Sequence, residues 1–111
     1  MSINNLFIPN KIGDKQVRCI NDNAFLYDTN IKTVKMENIT VIGANAFMGC
    51  TSLEWVVIPS SIVEVYQGAF DYTSSNLKVF FDTDKFASWG NLQVYFKGEW
   101  TYDSYGNPYV L

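Results

Sequence analysis

The sequence predicts an α/β repeat solenoid, β-rich overall: a small coil with a short parallel β-sheet on one face and short helical turns on the other. Two observations predict it. The pair Ala-Phe recurs at Ala24-Phe25, Ala46-Phe47 and Ala69-Phe70, at intervals of 22 and 23 residues, and a fixed period in this range marks a stacked repeat. Apolar residues also keep constant offsets from each alanine. Ile20, Ile42 and Val65 stand four before it, Val17, Ile39 and Ile62 seven before. Val34, Val56 and Val79 stand ten after it, and Met36, Ile58 and Phe81 twelve after. Stacked turns require such columns, because each inward residue meets its own counterpart above and below.

The last two columns are two residues apart, the period of a strand. They predict one parallel strand per turn near residues 33–36, 55–58 and 78–81. Leu6 and Ile8 align with Val56 and Ile58 and give a first strand at the front. An insertion at Leu77 would reverse the last of the three strands, turning Phe80 inward and Phe81 outward. The Ala-Phe segments are read as the helical turns, with alanine allowing close approach and Phe25, Phe47 and Phe70 filling the space between turns as a packing ladder.

Residues 83–90 read as a small helix: Thr83 or Asp84 caps its start, Gly90 ends it, and Phe86 and Trp89 share the face that lids the last turn. Leu92, Val94 and Phe96 alternate with Gln93, Tyr95 and Lys97 as a fifth strand. Trp100, Tyr102, Tyr105 and Tyr109 around a Gly106-Asn107-Pro108 turn form a capping flap. The chain divides as one domain, 1–111, with an N-terminal cap and first strand over 1–16, three repeats over 17–82 and a C-terminal cap over 83–111.

Composition narrows the function. With 48% apolar and 17% charged residues the chain has enough apolar surface to fold, and no apolar run is long enough to insert in a membrane. Its net charge is −3 and its eight basic residues are scattered, which argues against nucleic acid. It has no histidine, so the commonest general base and most zinc sites are missing. Cys19 and Cys50 fall at different positions of the repeat and read as free thiols. Asp82-Thr83-Asp84 reads more simply as a cap than as an ion site, and no cofactor or metal site is expected. The start, MSINNLFIPNK, has no charged leader before an apolar stretch, which points to the cytoplasm of a bacterium or phage-infected host.

The phrase Leu53-x-x-Val56-x-Ile58-Pro59-x-x-Ile62-x-x-Val65 before Ala69-Phe70, with Ala46-Phe47-x-x-Cys50-x-x-Leu53 ahead of it, resembles the BspA-like (Treponema pallidum-type) leucine-rich repeats of bacterial surface proteins. Residues 8–25 look like the longer opening repeat of that family, and the resemblance covers roughly residues 6 to 82. Asp28 and Thr73 stand where Cys50 does, and Met36-Glu37 where Ile58-Pro59 does. The resemblance implies a right-handed leucine-rich coil used for binding and not for catalysis, in proteins that are mostly secreted or surface-anchored.

The outward columns of the sheet are then the candidate site. Thr33 and Lys35, Trp55 and Val57, Lys78 and Phe80, continued by Tyr95, make a row whose aromatics exceed what solubility needs. Lys35, Trp55, Val57, Lys78, Phe80 and Tyr95 are therefore expected to bind a partner, a protein first and a glycan second, from a monomer or weak homodimer. Trp55 and Phe80 shielding each other across adjacent strands is the competing reading. Two other roles fit the same sequence: a phage- or mobile-element-encoded inhibitor of a host protein (anti-defence type), and a structural unit self-associating through its edges.

Overall fold

Side chains one period apart lie side by side. The computed structural model describes residues 4–86 and 92–111. Their strands, in chain order, are β1 (Asn5–Ile8), β2 (Lys11–Ile12), β3 (Lys15–Gln16), β4 (Cys19–Ile20), β5 (Thr33–Met36), β6 (Val41–Ile42), β7 (Trp55–Ile58), β8 (Glu64–Val65), β9 (Lys78–Phe81), β10 (Gln93–Tyr95), β11 (Trp100–Tyr102) and β12 (Pro108–Val110). The main sheet has the order β1-β5-β7-β9-β10, all parallel. Its register pairs Leu6 with Val34, Val34 with Val56 and Val56 with Val79, so the columns expected from the sequence are the columns observed.

A second parallel sheet, β4-β6-β8, joins Ile20, Ile42 and Val65 in the same way. This face was not anticipated, because strands of two residues are too short to show an alternation. Two hairpins complete the strands: β2–β3, inserted in the first copy, and β11–β12 near the C-terminus.

The core runs between these faces. Val34, Ile39, Ile42, Phe47, Leu53, Val56, Ile58, Val79 and Phe81 are all fully buried. Phe25 stacks on Phe47 at 5.2 Å and Phe47 on Phe70 at 5.5 Å, with ring planes 11° and 1° apart. The phenylalanine ladder is therefore continuous. Leu77 does not reverse its strand: it is buried along with Val79 and Phe81, and Phe80 faces outward opposite Val57.

No helix occurs among the described residues, which corrects the expectation for the Ala-Phe segments. Backbone amides explain why. A helix would commit the amides of Phe25 and Phe47 to carbonyls four residues back. Instead the amides of Asn23, Phe25 and Tyr27 donate to the carbonyls of Ala44, Ala46 and Met48, and those of Asn45, Phe47 and Gly49 to Gln67, Ala69 and Asp71. The intervening amides close tight turns, such as Ala24 to Asn21 and Asp28 to Phe25. Each segment thus has a left-handed residue on both sides of its alanine, Asn23 and Tyr27, Asn45 and Gly49, then Gly68 and Tyr72. That backbone sign belongs to the third position of a type II turn and cannot continue a helix.

The expected helix at 83–90 lies partly outside the described residues, Trp89 and Gly90 included. Residues 84–86 form bends, with the Thr83 hydroxyl accepting from the Lys85 amide at 3.3 Å. Phe86 nonetheless performs the expected covering: it stacks on Phe81 at 5.1 Å, and Phe96 stacks on the same ring at 5.5 Å. β10 extends the sheet as expected, with Leu92, Val94 and Phe96 packed against the core.

A candidate partner-binding face on the main sheet

The outward columns come together as the register demands. Thr33, Trp55 and Lys78 form one row, and Lys35, Val57, Phe80 and Tyr95 the next. These seven residues share one face, but they do not share one environment.

Val57 and Phe80 are only 4% and 1% exposed. The expectation that they stand in solvent is corrected, and the reason is the C-terminal hairpin. β11 and β12 pair Trp100 with Val110 and Tyr102 with Pro108, and Trp100 packs onto Val57 and Phe80 as a cluster separate from the core. Its ring lies 5.2 Å from Phe80, and its indole Nε1 donates to the Phe81 carbonyl at 3.0 Å. The flap therefore lies on the outward face of the sheet instead of capping the last turn, where Phe86 and Phe96 already sit. An apolar pair such as Val57 and Phe80 gives Trp100 a dry surface, and the carbonyl satisfies its one polar group. Tyr95, the neighbour of Phe80 in register on β10, stacks on it at 5.5 Å and is half-buried.

Lys35 latches the hairpin tip. Its ammonium donates to the Gly106 carbonyl, lies 4.9 Å from the centre of the Tyr102 ring and 5.8 Å from that of Trp55. The Tyr102 hydroxyl is raised above its ordinary pKa by burial first and the Asp82 charge second. Within the tip, the Asp103 carboxylate accepts the amides of Tyr105 and Asn107 at 2.8 and 3.0 Å, which fixes the turn.

The other half of the face is open. A groove of about 560 Å³ lies there, with Thr33, Lys35 and Trp55 along its floor and Phe7, Glu54 and Asn107 at its margins. Trp55 is half-buried and Phe7 is 57% exposed. Lys78 stands exposed at the start of β9, beside Trp55 in register. Of the expected residues, then, Lys35 and Trp55 share the groove, Val57, Phe80 and Tyr95 belong to the cluster under Trp100, against which Trp55 packs as well, in keeping with the competing shielding reading, and Lys78 flanks both.

Sequence reasoning missed Phe7. Its signal was present, since Phe7 follows Leu6 as Val57 follows Val56 and must face outward with it. Asn107 left no such signal, because its place depends on where the hairpin lands. Among the described residues no three His, Cys, Asp or Glu side chains gather to hold a metal ion, and no helix is long and apolar enough to cross a membrane.

The model of the family described as BspA type leucine rich repeat region (6 copies) matches residues 2–92, most of the chain. The chain belongs to the BspA-type leucine-rich repeat family. No curated protein matches the chain, and no solved structure does. As a BspA-type repeat it falls in a family that is generally non-enzymatic and whose repeats typically bind, and its five-stranded parallel sheet is the surface the repeat repeats most regularly.

Proposed function

We propose that this chain is a non-catalytic binding module that holds a protein partner on the open half of its main sheet, its repeats wound as a right-handed solenoid. Trp55 is the central contact, Lys35 and Lys78 are polar contacts, and Phe7 and Asn107 form the rim. The observation that carries the reading is the groove itself. Two aromatic rings, Trp55 on the floor and Phe7 at the rim, are set among polar side chains on a rigid sheet, and the neighbouring apolar pair on that sheet is already covered by the protein's own hairpin. Aromatic side chains held in place at low entropic cost are what interface centres are enriched in.

The test is capture on the immobilised chain, followed by affinity measurement for the recovered partner. Trp55→Ser and Thr33→Arg are expected to weaken it at least tenfold, the first with a modest fall in melting temperature because Trp55 also packs on the Trp100 cluster, the second with little change. Full affinity in two folded variants would remove this face from the account. A glycan, or a host protein whose activity is blocked, is a further outcome of the same capture.

A further inference from the structure

The two ends of the stack are finished differently. At the rear, the protein lays its own strand β10 against β9, and the alternating Leu92, Val94 and Phe96 cover the last layer of core. At the front, nothing among the described residues does this for β1. The carbonyls of Asn4 and Ile8 accept from Thr33 and Glu37 at 3.1 and 3.0 Å, so the even-numbered residues of β1 face β5. Backbone groups alternate sides along a strand, which leaves those of Asn5 and Phe7 facing the open edge. Pro9 has no amide and ends that edge. The back turn shows the same incompleteness. Ala44, Ala46 and Met48 accept bonds from the copy before them, whereas their counterparts Asp22, Ala24 and Leu26 have no such donors among the described residues.

Beneath this edge is an apolar cavity of about 360 Å³, lined among others by Leu6, Ile8, Ile12, Val17 and Phe25. Apart from Ile12 these are the end layer of the core, each with a counterpart on one side only.

We infer that this front end takes an extended segment of a partner protein by strand addition to β1, with side chains at alternate positions entering the cavity. The occupant's chemistry follows from the rear end, where the molecule closes an equivalent layer with a strand that is apolar at every second residue. Unpaired edges attract such strands. A second copy placed front to front does not suit, because it would set the Asp22, Ala24 and Leu26 carbonyls against the same carbonyls.

The inference concerns the open edge beside the groove around Trp55, with Leu6 and Phe7 lining both, and is tested apart from that groove. The probe is a fluorescein-labelled peptide of residues 92–97 titrated against the full chain, with N-methyl groups placed singly along it. Saturable binding is expected, weakened tenfold or more when Val94 is methylated and unaffected at Gln93 or Tyr95, as parallel addition requires. The reverse alternation would mean antiparallel addition and supports the inference equally. Ile12→Asp, at an exposed position of the inserted hairpin, weakens binding, and Trp55→Ser leaves it intact. No saturable binding, or equal loss at neighbouring methylated positions, overturns strand addition. So does light scattering that shows a concentration-dependent dimer excluding the peptide.

Discussion

Gly49 and Tyr27 show how single residues make one copy fit the next. Gly49 has φ of +74°, and a Cβ there would meet the Tyr27 ring at 2.1 Å. Glycine is needed twice over, for its backbone sign and for the ring lying on it. The equivalent positions in the neighbouring copies, Tyr27 and Tyr72, are left-handed without being glycine. That explains why the pattern was hidden: Tyr, Gly and Tyr share a conformation and no chemistry. Asn23, Asn45 and Gly68 were more legible, since asparagine and glycine are the residues enriched there.

Cys50 belongs to the same scale. It is fully buried, donates to the Phe25 carbonyl at 3.1 Å, and its pKa is pushed up to about 11 by burial, with the Asp28 charge adding to the rise and an Asp28 backbone bond opposing it. Because the folded value lies above the unfolded one, the thiol's contribution is fully present below pH about 9 and is lost as pH rises towards 11. Thermal melts should therefore fall more steeply across that window in the wild type than in Cys50→Ala. A thiol reagent at pH 8 should modify one cysteine, the exposed Cys19, in the native protein and two in denaturant.

At the scale of elements, the strands of the main sheet were legible and the turns were not. Period-two apolar columns fix a strand and its register, because one slip would turn every buried side chain to solvent. The Ala-Phe segments were read as helical turns in which alanine allows close approach and phenylalanine fills the space between turns, and a pair of tight turns meets both needs as well. What decides between helix and turn is where the amides go, and their partners lie 21 or 22 residues on, in the next copy. The C-terminal hairpin was legible as a Tyr-rich flap, but its landing place was not: Trp100 and the pair Val57 and Phe80 meet only once the sheet exists. Replacing Trp100 with alanine is expected to cost about 3 kcal/mol and to raise the binding of a hydrophobic dye as Phe80 is uncovered. Unchanged stability in chemical denaturation would mean that the hairpin is not held by that ring.

For the whole molecule, stability comes from layers that each touch only their neighbours. The middle layer has neighbours on both sides and the front layer on one. Phe47, buried and stacked on two rings, should lose about 3–5 kcal/mol on replacement by alanine. The partly buried Phe25 should lose less in the same denaturation experiment. The chain itself carried enough information to read this layering, because identical positions recur. It carried less about the site, since binding surfaces depend on which outward residues remain uncovered. Trp55 remains partly so in the groove, while Val57 and Phe80 are claimed by the hairpin and Lys35 is tied to its tip.

Site-specific photo-crosslinking tests the proposed face most directly. A benzophenone side chain is placed at Trp55, in the groove, and in a second protein at Tyr72, 76% exposed on the back turn. With the captured partner present, the account predicts a covalent adduct from position 55 and none from position 72. An adduct from position 72 alone would contradict it.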